Sequence, residues 1–354
     1  MARQVADTVE QGVFPSGDAP EQLADDLWRI PLPLPFALRA VNVYLIADGS
    51  GGWTLIDAGL GLPADGAALL AGLAAAGAAL PDITALVLTH AHPDHVGLAG
   101  YIHEASDAPV YLLTGEDDVL YRVWAEREPA AFDALGTMYA AHGMTPEQVT
   151  QSRKITERTR RMLRLPPHAA VRALADGDEL RLGSHTYQII WTPGHSDYHM
   201  CLLRDDGILV AGDHILPAIT PNIGWYPHAR PDPLGDYYSS LANVRDLPAH
   251  LVLPGHGRPF ADLAARVDAL HAHHQERSEQ IAGILAAPPP PEGHNAMTVA
   301  ETLFGQRLRS EDDRRFALVE SLAHLEHLRL AGRVESIADG EDGRVKYRLR
   351  RAAA

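Results

Sequence analysis

Four side chains of the types that bind metal ions occur within six residues of this chain: His90, His92, Asp94 and His95. They follow the apolar run 86–88, and an apolar segment that contains glycine comes after them. Alternate side chains of an extended loop share a side, so the first two histidines can bind one cation while the last two side chains turn toward a second. The segment therefore predicts a buried strand that ends in a metal-binding loop, followed by a helix.

Three later segments repeat one pattern, an apolar strand, then a glycine, then a residue type that binds metals. The residues that follow these glycines are His195, Asp213 and His256. A single histidine-rich loop is more simply explained as a surface feature. Four strand ends with such side chains instead indicate one shared metal centre.

The ordered set HxHxDH, GH, GD and GH resembles the metallo-β-lactamase superfamily, and most closely its glyoxalase II-like hydrolases, over roughly residues 25–275. The resemblance implies an α/β fold, an αββα sandwich of two sheets between layers of helices. The implied ligands are His90, His92 and His195 for one metal ion, Asp94, His95 and His256 for a second, and Asp213 bridging both. Asp57 follows the strand-like run 53–56 and would hold the metal-binding loop without being a ligand.

This ligand set implies hydrolytic chemistry. Two divalent ions would share a water and lower its pKa toward neutrality, and Asp94 is the implied catalytic residue that orients the bridging hydroxide or moves its proton. Zinc suits the set, and iron or manganese would also fit. We expect a hydrolase of a small ester, thioester or lactone. The commonest zinc β-lactamases carry Cys or Ser where this chain has Asp213, so antibiotic hydrolysis is not the expected native activity.

Other functions stay open. One alternative is a metal-dependent nuclease or phosphodiesterase that acts on RNA with the help of a C-terminal nucleic-acid-binding domain. A non-enzymatic binding or regulatory protein is a second alternative, although an intact ligand set disfavours it. Oxygen chemistry at iron is a minority option.

Composition limits the partners. The 354 residues carry a formal net charge of -16, which disfavours binding of nucleic acid or anionic membranes by the whole surface. A single cysteine fits a reducing compartment. No apolar window is long enough to span a bilayer, and the first residues lack a secretory pattern. We therefore expect a cytoplasmic protein with a small-molecule substrate, which could form a homo-oligomer.

The domain plan has four parts. Residues 1–24 are predicted to be an N-terminal arm and 25–285 the hydrolase domain, with a helical insertion at about 116–165. The proline-rich stretch 286–296 is a stiff linker. Residues 297–354 combine helices with a β-hairpin pattern and look like a winged helix. From residue 287 onward Lys and Arg number 11 and Asp and Glu 11, so this neutral segment favours packing or a dimer contact over phosphate binding.

Two residues are predicted to contact the substrate. Tyr226 and His228 lie in the loop 215–228, which follows the strand that carries Asp213 and should pass near the metals. Packing of these side chains inside the protein is the rival interpretation.

Overall fold

The computed structural model describes residues 19–35, 38–125, 129–227, 229–287, 293–338 and 343–350, with only the backbone at 129–132. Within these ranges the chain forms two sheets with helices on their outer faces, followed by further helices and a short hairpin. No helix in this part of the chain is long and apolar enough to cross a membrane.

The first sheet has seven strands in the order β1 to β7. They are β1 (Glu21–Ala24), β2 (Leu27–Pro33), β3 (Ala40–Ala47), β4 (Trp53–Ile56), β5 (Ile83–Val87), β6 (Val110–Leu113) and β7 (Val171–Leu174). Pairing is antiparallel from β1 to β4 and parallel from β4 to β7. The parallel pairs require crossovers, which supply α1 (Pro63–Ala75), α2 (Pro93–Val96) and α3 (Ala99–Ser106).

The second sheet has five strands in the order β12-β11-β10-β9-β8. They are β8 (Glu179–Leu182), β9 (His185–Trp191), β10 (Met200–Arg204), β11 (Ile208–Gly212) and β12 (Leu251–Pro254). Only β11 and β12 are parallel, and α7 (Pro233–Val244) connects them. Parallel strands end at the same edge of a sheet, so the residues after β11 and β12 are neighbours.

Three apolar clusters separate four layers, in the order helices, first sheet, second sheet, helices. The cluster between the sheets contains Tyr44, Val87, Tyr187 and Met200 among others. A second cluster packs the outer face of the first sheet against α1 and α3, and a third packs the outer face of the second sheet against α7 and the first part of α8 (Leu263–Ala286). The single cysteine, Cys201, is buried in the third cluster. The predicted α/β sandwich with helices outside is confirmed.

The helical insertion before β7 contains α4 (Glu116–Leu120), α5 (Pro129–Ala141) and α6 (Pro146–Met162). Its second and third helices contribute to a fourth apolar cluster that also holds the C-terminal elements. Those elements are α9 (Ala296–Phe304), α10 (Glu311–Leu330), β13 (Val334–Ala338) and β14 (Val345–Leu349). The last two strands form an antiparallel hairpin. The predicted order of helices and hairpin is therefore present, while the assignment as a winged helix stays a prediction.

The outer boundaries of the domain plan differ from the structure. The predicted arm, 1–24, overlaps β1, because Glu21–Ala24 already pairs with β2. Residues 1–18 and the linker prolines 288–291 lie outside the described residues. Helix α8 extends to Ala286 and contributes Ile281 and Leu285 to the C-terminal cluster, so one continuous helix joins the two parts of the fold.

Candidate metal centre

The predicted ligands follow strand ends of both sheets. His90 to His95 follow β5 of the first sheet, and the others follow β9, β11 and β12 of the second. All seven fall into overlapping groups whose ligand atoms lie within 4.8 Å of one another. The structure thus brings together every residue that the sequence predicted as a ligand: His90, His92, Asp94, His95, His195, Asp213 and His256.

The first set consists of His90, His92 and His195. The Nδ1 atom of His92 lies 2.8 Å from Nε2 of His195. The ring of His90 lies 4.6 Å from the ring of His92 and 5.0 Å from that of His195, measured between centroids. The nitrogens of His92 and His195 and the imidazole of His90 therefore face a common point, as three ligands of one cation must.

The second set consists of Asp94, His95 and His256, and Asp213 lies between the two sets. Oδ1 of Asp213 is 3.5 Å from Nε2 of His95, while Oδ2 is 3.3 Å from Nε2 of His256. Oδ2 also lies 3.5 Å from Nε2 of His195, a member of the first set. The two oxygens of Asp213 thus contact both sets, which is the arrangement expected of a bridging carboxylate.

The centre fits bound metal ions. Four of its atoms are buried and have no hydrogen-bond partner, namely Nε2 of His90, His95 and His256 and Oδ1 of Asp213. Buried polar atoms are rarely left without a partner, and a cation supplies one to all four. The space also depends on Gly255, because a Cβ there would clash with Oδ1 of Asp213.

Protonation differs between the sets. Burial lowers the pKa of His92 to about 3 and lowers the pKa values of the other two histidines of its set, so all three are neutral and able to donate a lone pair. Burial also opposes charge on His95 and His256, but the Asp213 carboxylate outweighs it and raises both pKa values, that of His256 to about 10. A cation at the second set must therefore displace protons.

The Asp57 carboxylate binds the start of the loop that carries His90 to His95. It accepts hydrogen bonds from the backbone N–H of Thr89 at 2.8 Å and from the Thr89 hydroxyl at 3.0 Å. The same carboxylate lies 2.8 Å from Nδ1 of His95, which leaves Nε2 of that ring for the centre. Asp57 is 2% exposed and has a φ of 63°. Asp and Asn tolerate this left-handed conformation better than most residues.

The loop of His256 is braced by the first sheet. Nδ1 of His256 lies 2.8 Å from the carbonyl oxygen of Ala40. The Asn42 side chain donates to the carbonyl oxygens of Pro254 and Gly257, at 2.9 and 2.8 Å. Strand β3 therefore fixes a ligand that lies more than 200 residues away along the chain.

His199 supports the backbone of Asp213. Its Nε2 accepts a hydrogen bond from the backbone N–H of Asp213 at 3.2 Å, and its Nδ1 lies 2.8 Å from the hydroxyl of Thr192. His214, which follows Asp213 directly, is fully buried and is absent from the ligand groups among the described residues.

Sequence reasoning missed Glu116. Its Oε1 accepts hydrogen bonds from the backbone N–H of Ala91 and from the Ser196 hydroxyl, both at 2.6 Å. Ala91 lies inside the metal-binding loop and Ser196 directly follows His195, so one buried carboxylate joins the loops that carry the whole first set. Glu116 begins α4 in the acidic run 116–118, which looks like an ordinary helix start.

The pKa of Glu116 predicts a specific pH dependence in the metal-free protein. Burial raises this pKa from 4.5 to about 7, so the protonated form favours folding. Its contribution is complete below pH 4.5 and is lost as the pH rises through 7. At about 1.4 kcal/mol per pKa unit, the free energy of unfolding of the wild-type protein should fall by roughly 3 kcal/mol over this pH range because of Glu116. Glu116→Gln cannot titrate and should lack this part of the fall. Urea unfolding over this pH range measures it.

The matched control for this experiment is the exposed residue Glu147, replaced in the same way. Glu147→Gln should leave the pH profile of the free energy of unfolding unchanged. Parallel profiles for the wild-type protein and Glu116→Gln would contradict the prediction.

The predicted substrate residues have different outcomes. Tyr226 is half-buried and packs into the cluster that contains α10, and burial raises the pKa of its hydroxyl. This placement agrees with the rival packing interpretation, and contact between Tyr226 and substrate stays a prediction. His228 lies outside the described residues.

A two-sheet α/β sandwich whose strand ends collect seven histidine and aspartate ligands defines the class of metallo-hydrolases. The sequence model of the metallo-beta-lactamase superfamily matches residues 37–256, and a model described as metallo-beta-lactamase-like, C-terminal domain, matches 286–350. The chain therefore belongs to the metallo-beta-lactamase superfamily.

Individual relatives agree with this assignment. The chain is 26% identical over 325 residues to the probable metallo-hydrolase YqjP of Bacillus subtilis, a match that covers 89% of this chain and 96% of that protein. A crystal structure of a metallo-beta-lactamase family protein from Thermus thermophilus superimposes with a TM-score of 0.81 at 35% identity, covering 93% of this chain and 100% of that one. An atrochrysone carboxyl ACP thioesterase of Aspergillus fumigatus is 26% identical over 250 residues, 70% of this chain and 61% of that protein.

Proposed function

We propose that the protein is a dinuclear metal-dependent hydrolase of a small ester, thioester or lactone. The first set and the second set would each hold one divalent ion, with Asp213 bridging them. The observation that carries this proposal is the position of Asp213, whose two oxygens lie 3.3 to 3.5 Å from nitrogens of both sets. Zinc is the proposed metal because imidazole and carboxylate ligands suit it, and iron or manganese would use the same ligands.

When bound, the two ions would supply a hydroxide nucleophile at neutral pH and offset the charge that develops on the substrate oxygen. Asp94 is the proposed catalytic carboxylate. Its side chain is 15% exposed, compared with 8% for Asp213, so it is the more accessible of the two to an entering water. Burial opposes its charge, but the neighbouring imidazole of His256, whose Nε2 lies 3.4 Å from Oδ2 of Asp94, outweighs this and lowers the pKa of Asp94 to about 2. An ionised Asp94 can orient a reacting water and accept its proton.

The comparisons support a carbonyl substrate in general terms. One relative is named as a thioesterase and another as a probable metallo-hydrolase. A carboxylate at position 213, where the commonest zinc β-lactamases carry Cys or Ser, argues against a β-lactam as the native substrate. Hydrolysis of a thioester or lactone is acyl transfer to water, as hydrolysis of a β-lactam is. The metal-activated water would be the nucleophile, so no side chain has to act as one.

The C-terminal fold gives little support to the alternative function, a nuclease or phosphodiesterase that acts on RNA. In a winged helix, the helix before the hairpin is the one that would enter a nucleic-acid groove. Here that helix is α10, and all residues from 317 to 326 are buried. A helix surrounded by protein on every side cannot present a recognition face, so packing against the hydrolase domain is the better interpretation of this segment.

The test combines elemental analysis with a substrate panel of thioester, lactone, β-lactam and phosphodiester compounds. We expect about two zinc ions per chain and turnover of a thioester or lactone. Removal of metal with a chelator should reduce turnover at least about 100-fold, and added zinc should restore it. Metal-free protein with full activity, or cleavage of the phosphodiester alone, would contradict the proposal.

A further inference from the structure

A direct line of hydrogen bonds runs from the candidate metal centre to the C-terminal helix α10. It starts at His195, whose Nδ1 lies 2.9 Å from the carbonyl oxygen of Asn222. A carbonyl oxygen only accepts, so Nδ1 carries the proton and donates it to this bond. Nε2 of the same ring is then left with its lone pair, 2.8 Å from Nδ1 of His92 and 3.5 Å from the Asp213 carboxylate. The position of Asn222 therefore determines which nitrogen of His195 can bind a cation.

The side chain of Asn222 is held by α10. Its Nδ2 donates to Oε2 of Glu320 at 3.1 Å and to the carbonyl oxygen of Phe316 at 3.2 Å. Three residues further along, the backbone N–H of Trp225 donates to the carbonyl oxygen of Val319 at 3.0 Å. The loop that orients His195 is thus attached to one turn of α10 at three points.

Glu320 is placed for this contact at some energetic cost. It is 9% exposed, and its other oxygen, Oε1, pairs with Arg277 of α8 at 3.0 Å. Burying a charged side chain is unfavourable unless it is both paired and hydrogen-bonded. An apolar residue would fill the same position in a helix that only packs, whereas a side-chain oxygen acceptor is needed to hold the Asn222 amide.

We infer that α10 belongs to the metal centre, and that Glu320 is a positioning residue that sets the ring of His195 through Asn222. This inference rests on the proposed function, because it assumes that His195 binds a cation. It assigns the C-terminal domain a role in metal binding: the domain supports the ligand His195 through Asn222, which lies 98 residues from Glu320 along the chain.

The test is the equilibrium affinity for Zn²⁺, measured by competition with a coloured chelator, together with the visible absorption spectrum of the Co²⁺-loaded protein. Glu320→Ala should weaken binding of one of the two ions by about 10- to 100-fold, the range typical for loss of a partner behind a metal ligand. The Co²⁺ spectrum should change as well. Glu320→Gln keeps an oxygen acceptor for Asn222 and should bind within about threefold of the wild-type protein.

Two further variants separate positioning from folding. Asn222→Ala removes the side-chain contacts but leaves the pair of Glu320 with Arg277, and it should weaken binding as much as Glu320→Ala. The control is Glu326→Ala, on the same helix and 8% exposed, where the carboxylate bonds to the hydroxyl of Tyr347 at 2.9 Å and does not contact Asn222. It should lower the melting temperature and leave Zn²⁺ affinity unchanged.

The measured Zn²⁺ affinities distinguish failure of this inference from failure of the proposed function. Wild-type affinity in both Glu320→Ala and Asn222→Ala would overturn the inference while leaving the proposed function intact. Equal weakening in Glu326→Ala would also overturn it, because the effect would then be general destabilisation. If the wild-type protein itself binds no divalent ion, the proposed function fails, and this inference fails with it.

Discussion

Replacement of Asp213 by alanine should reduce turnover by about a thousandfold or more and should lower the bound metal from two ions to one or fewer. Loss of one supporting group at a metal or charge-stabilising site commonly costs 10- to 1,000-fold, and Asp213 contacts both sets at once. Without its carboxylate, His95 and His256 would keep their buried nitrogens but lose the negative charge that faces them. Steady-state kinetics on the best substrate of the panel and elemental analysis measure the two effects.

His90→Ala should act in the same direction, because the Nε2 atom of His90 is one of the four buried atoms without a partner. The matched control is Asp82→Ala, which removes an exposed aspartate directly before β5, at the opposite end of that strand from the candidate ligands. The control should keep both metal content and turnover. Full activity in Asp213→Ala, with or without metal, would refute the assignment of this residue.

Asp57→Asn should weaken metal binding by about 10- to 100-fold and destabilise the metal-free protein by roughly 3 kcal/mol. Asparagine tolerates the positive φ of this position and keeps the size of the side chain, so the substitution removes the charge and one of the two acceptor oxygens without a change of shape. The buried Nδ1 of His95 would then face a neutral amide instead of a carboxylate at 2.8 Å. Chelator competition gives the affinity, and thermal unfolding with and without zinc gives the stability.

A suitable control for Asp57 is Asp48→Asn. Asp48 also lies at the end of a strand of the first sheet and accepts backbone hydrogen bonds, at 2.8 Å from Ser50 and Gly52, but it is part of an exposed turn without a ligand nearby. Its replacement should leave zinc affinity unchanged. Equal zinc affinity for the wild-type protein and Asp57→Asn would show that the charge of Asp57 is not needed to orient His95.

The sequence by itself was sufficient to predict the candidate ligands and the strand ends that carry them. The motif at His90 to His95 works through local geometry, because a strand end and an extended loop fix the direction of neighbouring side chains. The glycines before His195, Asp213 and His256 marked the other strand ends in the same local way. Strands β9, β11 and β12 run in the same direction, so their ends lie at one edge of the second sheet, and the family resemblance supplied the division of the candidate ligands into two sets.

The supporting contacts were decided only by the tertiary structure. Glu116 bonds to Ala91 and Ser196, which are 25 and 80 residues away, and Asn222 meets Glu320 at a separation of 98. In the sequence, a glutamate that is buried between two loops cannot be distinguished from a glutamate on the surface of a helix. Its role depends on which distant backbone groups packing brings within hydrogen-bond reach, and no local pattern carries that information.

The C-terminal segment shows the same division. Its helices and hairpin could be predicted from periodicity and turn residues, and Gly332 ends α10 with a φ of 73°. The sequence could not show that α10 is buried along its middle turns or that it reaches the loop beside His195. Amphipathic spacing shows that a helix has an apolar face, but the partner of that face depends on how separate parts of the chain pack together.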